Sequence, residues 1–304
     1  MSHAPPITID PVAARRWAAR VPARSPWLHE EVARRMAGRL EAIRLPVRRW
    51  ADWEPARGGL AGHDLVAAHY PDAQAFWVCE QAGSAPPATA NAGQPWWRRW
   101  GRARAPAPAV VAAPPEGAMQ LVWANMLAHQ SADPAALLAG WRRALAVGGF
   151  VMFSCLGPDS LRELRALYAQ EGWPPPGQEF ADMHDWGDQL LAAGFADPVM
   201  DMELLTLTYS TPARLLADLR ELGRNQHPGR HGALRTPAWR ARLEQALHDR
   251  LRPNDGGPLR LTFEILYGHA LKAAPRDAAV PAQTAVPLQE LRRQLRQRKL
   301  GSAP

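Results

Sequence analysis

The chain has 304 residues, of which 47% are hydrophobic and 21% are charged, which fits a globular protein of one large domain or two smaller ones. Its formal charge is +7, and 34 of its 36 basic residues are arginine. Two cysteines are too few for a disulfide framework or a cysteine-built zinc site. The sequence shows neither an apolar run of membrane-spanning length nor a signal peptide, so we expect a cytoplasmic protein.

Hydrophobic periodicity predicts helices and strands along most of the chain. In the first half we predict a helix over Pro26–Leu45, a strand over Val47–Asp52, a helix over Leu60–Tyr70, and strands over Ala75–Cys79 and Met119–Ala124. In the second half we predict a helix over Pro134–Val147 that ends at Gly148–Gly149, a strand over Phe150–Cys155, helices over Leu161–Gln170 and Asp185–Ala193, and strands over Val199–Tyr209 and Leu259–Leu271. This alternation predicts an α/β fold in which helices cover both faces of a parallel sheet.

Several helix starts carry their own signals. Ser160 and Glu163 have the spacing of a capping box, and Thr211 and Thr236 each precede a proline at a first helical position. These two threonines predict a helical pair over about 210–256, before the last strand. The segment Asp182–Asp185 resembles a catalytic cluster, but acidic residues also favour a helix N-terminus, and we interpret it as structural.

Two segments lack regular patterning. Residues 81–117 are rich in Ala, Pro and Gly and contain the Trp96–Trp100 cluster, which we expect to pack a loop onto the core rather than to stack on a base or substrate. Residues 273–304 form a basic tail that we expect to be mostly disordered. The predicted organisation is an N-terminal arm over 1–25, one domain over 26–272, and this tail.

The most specific stretches of the sequence are residues 121–168 and 180–209, with shorter matches over 30–46 and 261–272. In them the chain resembles the class I S-adenosylmethionine (SAM)-dependent methyltransferases, and among these the malonyl-acyl-carrier-protein O-methyltransferases of biotin synthesis. The resemblance implies a Rossmann-like, mostly parallel sheet with an antiparallel strand near the end and a helical insertion before the last strand. It also implies methyl transfer from SAM to the free carboxyl of a malonyl group on an acidic acyl carrier protein. A related branch of the family serves in respiratory complex I assembly.

The family's cofactor turn, Asp-x-Gly-x-Gly-x-Gly, corresponds here to Asp52–Gly58. Asp52 and Gly58 match the motif, whereas Glu54 and Ala56 replace its first two glycines and Pro55 removes an amide donor. A carboxylate at position 54 opposes the cofactor's own carboxylate. We therefore predict that this chain binds SAM more weakly than family members with an intact turn.

The resemblance, together with position at the carboxyl edge of the sheet, gives the remaining predicted site residues. Asp52, Gly58 and Gly59 are predicted cofactor contacts, with an ordinary strand-to-helix turn as the alternative. Glu80 is also predicted to contact the cofactor, because it lies one place beyond the position of the family's ribose-binding acid. Asn125 is a further predicted cofactor contact, since it follows a strand at the ligand-binding edge of the sheet. His129 is predicted to line the substrate pocket; the alternative for Asn125 and His129 is a capped loop before the next helix.

No catalytic side chain or metal ligand is assigned, because a malonyl carboxylate is ionised at neutral pH and needs no general base. We expect a monomer that binds no nucleic acid. The alternative function is a non-catalytic relative that has lost SAM binding and keeps a carrier- or protein-binding role. A nucleic-acid binder ranks third, since it rests on a pI of about 10.2 alone.

Overall fold

The computed structural model describes residues 9–20, 22, 24–80, 107–253 and 256–274. The Trp96–Trp100 cluster, residues 1–8 of the N-terminal arm and nearly all of the basic tail lie outside these ranges, so our predictions for them stay predictions.

Helices and strands alternate as the sequence predicts. The helices are α1 (Pro11–Ala18), α2 (Trp27–Arg39), the one-turn α3 (Pro55–Gly58), α4 (Leu60–His69), α5 (Pro134–Ala144), α6 (Arg162–Gln170), α7 (Met183–Ala192), α8 (Pro212–Leu222) and α9 (Pro237–Leu251). The strands are β1 (Arg49–Trp53), β2 (Gln74–Val78), β3 (Ala109–Val111), β4 (Met119–Ala124), β5 (Leu145–Leu156), β6 (Ala196–Tyr209) and β7 (Leu259–Leu271). Short 3-10 turns cover Leu40–Ala42 and Ala128–Gln130.

The seven strands form one sheet in the order β3-β2-β1-β4-β5-β7-β6. The pairs β1–β2, β1–β4, β2–β3 and β4–β5 are parallel, whereas β7 runs antiparallel to both β5 and β6. Helices α8 and α9 are inserted between β6 and β7. The predicted Rossmann-like sheet, its antiparallel strand and its helical insertion are confirmed, and β1 lies beside β2 as predicted.

Both faces of the central strands are buried. On β4, Leu121 and Trp123 pack into the cluster that contains α2, α4, α6, α8 and α9, whereas Val122 and Ala124 pack into the cluster that contains α5 and α7. This three-layer arrangement is typical of parallel sheets, whose strands are apolar on both sides. It leaves the carboxyl ends of the parallel strands as the edge where polar side chains collect.

Three expectations from the sequence are wrong. Helix α5 ends at Ala144, and Gly148 and Gly149 lie inside β5, where a Cβ on Gly149 would stand 2.9 Å from the Met119 carbonyl oxygen. Helix α6 has no capping box, because Ser160 hydrogen-bonds the backbone of Glu264 and Glu163 accepts from Thr262 instead. The segment 81–117, expected to lack regular structure, contains the edge strand β3.

Other helix starts are confirmed. Thr211 accepts from the Arg214 amide and Thr236 from the Trp239 amide. Asp182 and Asp185 form a capping box at the start of α7, so this acidic segment is structural as predicted. Among the helices that the structure describes, none is both long and apolar enough to cross a membrane.

Candidate functional site

The ends of β1, β2 and β4 bring the predicted cofactor residues together. Asp52 is in register with Trp77 of β2 and Trp123 of β4, and Asn125 follows Trp123 by two residues. Neighbouring strands lie about 4.8 Å apart with a rise of about 3.3 Å per residue. Asp52 and Asn125 therefore share one edge of the sheet, as the sequence predicts.

The Asp52 carboxylate is directed to helix α4 and not to an open cleft. It lies 2.8 Å from Nδ1 of His63, and both side chains are buried. Burial raises the pKa of Asp52, and the nearby His63 opposes this shift. The pair holds the end of β1 against α4, and the Trp50 ring stacks on His63 with 4.7 Å between the ring centroids.

Glu54 connects the ends of β1 and β2. Its backbone is left-handed, with φ of 52°, and its amide donates to the Val78 carbonyl. Its Oε1 accepts a hydrogen bond of 2.9 Å from the Glu80 amide, just beyond β2. Burial raises the pKa of Glu54, and this hydrogen bond and the Arg57 charge oppose the shift.

Arg57 attaches the same turn to the N-terminal arm. Its Nη2 donates to the carbonyl oxygens of Trp17, Ala18 and Arg20 at 2.8, 2.5 and 2.6 Å, at the end of α1. Its Nε lies 3.8 Å from the Glu54 carboxylate. Arg57 is 9% exposed, and this burial lowers the pKa of its guanidinium, which the Glu54 charge partly offsets.

Asn125 and His29 hold the turn from the opposite side. The Asn125 amide nitrogen donates to the carbonyls of His29 and Gly58, and its oxygen accepts from Ser154 Oγ at 2.6 Å. His29 Nδ1 lies 2.7 Å from the Arg57 carbonyl oxygen. Burial lowers the pKa of His29 to about 4, so the ring is neutral at pH 7 and donates from Nδ1 to this carbonyl. Both polar groups of the Asn125 side chain are thus engaged by protein atoms.

Gly59 lets the chain pass close to α2. Its φ is +117°, and a Cβ there would stand 2.8 Å from Oε2 of Glu30. The Glu30 carboxylate accepts from the amides of Leu60 and Ala61, both at 3.0 Å, at the N-terminus of α4. A carboxylate at this position is favourable for the helix dipole. The Glu30 side chain therefore occupies the N-terminus of α4, the helix that follows Gly58 and Gly59.

The turn as it stands does not fit SAM. Every residue from Ala51 to Gly59 is buried, and Glu54 and Ala56 stand where the family motif has glycine. Glu54 takes the Glu80 amide at the end of β2, next to where the resemblance places the ribose. Glu80 itself is exposed and accepts from the Trp53 indole at 2.9 Å. For SAM to bind here, the Glu54 side chain has to leave; we call Glu54–Gly59 the closed turn.

His129 lies beyond β4 in the 3-10 turn and is 7% exposed. Burial is the main cause that lowers its pKa to about 3, so the ring is neutral. Its Nδ1 has no hydrogen-bond partner among the residues that the structure describes, and its ring meets Phe180 edge to face at 5.6 Å. The predicted pocket-lining role of His129 stays a prediction, with Phe180 as its immediate neighbour.

Three residues at this edge escaped the sequence prediction: His29, Glu30 and Arg57. The first two lie on α2, where helical periodicity signals packing and gives no sign of contacts to the turn. The one available signal for Arg57 is its place in a motif that otherwise carries small residues. Within the described part of the chain, no group of three or more His, Cys, Asp or Glu residues has the geometry of a metal site.

Comparison with known proteins identifies the family. No family model matches the chain. A malonyl-[acyl-carrier protein] O-methyltransferase of Gallionella capsiferriformans is 39% identical over 255 residues, which cover 82% of this chain and 85% of the relative. The enzyme of the same name from Laribacter hongkongensis is 39% identical over 260 residues, with 82% and 84% covered.

Among solved structures, the YcgJ protein of Bacillus subtilis aligns with a TM-score of 0.51 at 12% identity, covering 79% of this chain and 99% of that chain. At this identity the likeness shows the fold alone, a fold that agrees with the sheet order found here. The sequence relatives exceed 30% identity over more than two thirds of both chains. The chain therefore belongs to the malonyl-[acyl-carrier protein] O-methyltransferase family.

Proposed function

We propose that this protein methylates the free carboxyl group of a malonyl thioester carried on acyl carrier protein, with SAM as the methyl donor, in biotin synthesis. The observation that carries the proposal is the 39% identity to curated malonyl-[acyl-carrier protein] O-methyltransferases over 82% of the chain. The proposal includes a monomeric protein in the cytoplasm.

The chemistry asks little of the side chains. A malonyl carboxylate is already ionised at neutral pH, so the protein needs to align it and exclude water rather than remove a proton. The buried Asp52–His63 pair and the neutral His29 act as structural groups, and the neutral His129 lines the substrate pocket.

An acidic carrier matches the charge of this protein. The chain carries a formal net charge of +7, and 34 of its 36 basic residues are arginines, which bind carboxylates and phosphates bidentately. Exposed charges are screened over about 8–10 Å at physiological ionic strength. Binding of the malonyl carrier should therefore weaken steeply between low and physiological salt, and binding that is absent at low salt or indifferent to salt would contradict this account.

The proposed function is tested by incubating the protein with malonyl-carrier and SAM and measuring the carrier's mass. We expect a mass gain of one methyl ester on malonyl-carrier and none on acetyl-carrier, which lacks the free carboxylate. Conversion of neither substrate at high protein concentration would overturn the catalytic reading.

One observation favours a second function, a carrier-binding relative without catalysis: the closed turn is buried, and Glu54 takes the Glu80 amide at the end of β2. A calorimetric SAM titration separates the two functions. Micromolar binding by the unaltered protein supports the methyltransferase, and absent SAM binding combined with retained carrier binding supports the non-catalytic relative.

A further inference from the structure

A cavity of about 450 Å³ opens next to the carboxyl end of β5. Pro158, two residues beyond β5, forms one side of it, and helix α6 contributes Arg165 and Tyr168. The segment 173–180 and His227, in the connection between α8 and α9, complete the lining. The cavity is thus built by the sheet edge, one core helix and the helical insertion together.

The walls of this cavity are aromatic. Tyr168 and Trp173 meet edge to face with 5.1 Å between ring centroids. Phe180 lies under the Arg165 guanidinium at 5.1 Å, and its ring also meets that of His129. Phe180 therefore connects the cavity to the segment after β4, where the predicted substrate residue lies.

Arg165 is the cation of the cavity, and the backbone holds it in place. Its Nη1 donates to the Pro158 carbonyl at 2.6 Å, and its Nη2 donates to the Gln178 carbonyl at 3.3 Å. These two bonds use one hydrogen on each terminal nitrogen and leave further donors on the fork. Among the residues that the structure describes, no carboxylate forms an ion pair with Arg165 within 4.0 Å, although Asp159 and the exposed Glu179 on the rim act on it from further away. A half-buried charge without a close counterion is costly unless a ligand supplies one.

We propose that this cavity binds the malonyl group, with Arg165 as the partner of its free carboxylate and the Tyr168, Trp173 and Phe180 rings packed along the thioester chain. The proposal deepens the proposed function and rests on it. The ligand chemistry is a short aliphatic carboxylate at the end of a neutral chain, which an arginine fork in an apolar pocket recognises by charge and shape together. Glu179 at the rim, whose charge also acts on Arg165, has the same sign of charge as the malonyl carboxylate and weakens its binding.

The test measures binding of malonyl-carrier, acetyl-carrier and free malonate by calorimetry without SAM, so that it does not depend on the closed turn. We expect the unaltered protein to prefer malonyl-carrier over acetyl-carrier by at least tenfold. Arg165→Met should abolish this preference while acetyl-carrier binding changes less than threefold. Arg162→Met is the matched control, since Arg162 lies on the same helix, is exposed, and pairs with Asp159; it should keep the preference.

A second variant keeps the test independent of folding defects at Arg165. Glu179→Gln changes an exposed rim residue and should strengthen malonyl-carrier binding about two- to fivefold, because it removes a like charge. Free malonate should bind at least tenfold more weakly than malonyl-carrier, because it lacks the thioester chain that contacts the Tyr168, Trp173 and Phe180 rings. Equal binding of the two would show an anion site that does not recognise the chain, and would overturn the proposal.

The failures can be told apart. Binding of both carriers without a malonyl preference, or a preference that survives Arg165→Met, overturns the Arg165 site and leaves the proposed function standing. Absence of binding to either carrier at low salt overturns the proposed function, and this proposal with it.

Discussion

Replacing Glu54 with glycine should open the closed turn to SAM. In the structure the Glu54 carboxylate accepts the Glu80 amide at 2.9 Å and lies 3.8 Å from the Arg57 guanidinium. A hydrogen bond to a charged group contributes about 1.5–3 kcal/mol. SAM has to break this bond to enter, so Glu54→Gly should raise SAM affinity by roughly 10- to 150-fold. The burial that raises the Glu54 pKa offsets part of this bond, so we expect the lower end of the range.

The same substitution has a separate effect on stability. Glycine relieves a left-handed backbone, with φ of 52°, which costs a non-glycine residue about 1 kcal/mol. Loss of the Glu80 hydrogen bond opposes this gain, so the free energy of unfolding should fall by about 0.5–2 kcal/mol. Glu54→Gln separates charge from volume: it fills the same space without the charge and should improve SAM binding less than glycine does.

The assay is calorimetric titration with SAM, with urea unfolding of the same variants. Asp197→Gly is the matched control, because Asp197 is another acidic residue with positive φ, 49°, on β6 and remote from the turn. It should raise stability and leave SAM affinity unchanged. The double variant Glu54→Gly with Ala56→Gly restores both family glycines and should bind SAM at least as well as Glu54→Gly. A folded Glu54→Gly variant that binds SAM no tighter than the unaltered protein, or micromolar binding by the unaltered protein, would show that Glu54 does not compete with SAM.

Three further predictions concern the groups around the turn. Arg57→Met removes the donor to three carbonyls of the N-terminal arm, so it should lower the free energy of unfolding by roughly 2–4 kcal/mol. Tryptic cleavage at Arg15 of the arm should become faster, and unchanged cleavage would show that other contacts hold the arm. The folded pKa of His129 is about 3 against an ordinary 6.5, so below about pH 6.5 the unfolded chain binds a proton that the folded chain does not. The free energy of unfolding should therefore fall by up to about 1.4 kcal/mol for each pH unit of acidification. Urea midpoints of His129→Gln should decline less steeply with falling pH than those of the unaltered protein, and parallel declines would contradict the assignment. Gly59→Ala should lower the free energy of unfolding by about 1–3 kcal/mol, because φ is +117° and the new Cβ lies 2.8 Å from the Glu30 carboxylate. Gly38→Ala, in open space on α2, is the control and should raise the free energy of unfolding by about 0.5–1 kcal/mol in the same urea assay.

The elements that the sequence predicted well are those set by local signals. Apolar runs placed β4 and β7 to the residue, and the Thr-Pro pairs marked the starts of α8 and α9. The capping box at Ser160 failed because partners about 100 residues away on β7 take both side chains. A local motif cannot reveal such competition.

The candidate site divides in the same way. The sequence placed Asp52, Gly58 and Asn125 at one edge, because the carboxyl ends of parallel strands meet there. It indicated that Glu54 and Pro55 disturb the turn, yet it did not show where the Glu54 carboxylate goes. Arg57 donates to backbone carbonyls of residues 37–40 positions away in the N-terminal arm. Because every residue type has a backbone carbonyl, the sequence does not indicate such contacts.

The closed turn makes Glu54 an intramolecular competitor for the cofactor. A free inhibitor can be diluted away, but a competitor on the same chain has a fixed effective concentration, so its effect persists at every protein concentration. If the open form is one molecule in a hundred, the apparent dissociation constant for SAM is a hundredfold larger than that of the open form. Each kilocalorie by which Arg57 and the Glu80 amide favour the closed form is subtracted from the cofactor's binding energy. The SAM concentration that half-saturates this protein should therefore depend on contacts within the chain. A change at the end of α1, whose carbonyls bond Arg57, should shift that concentration without altering a residue of the turn.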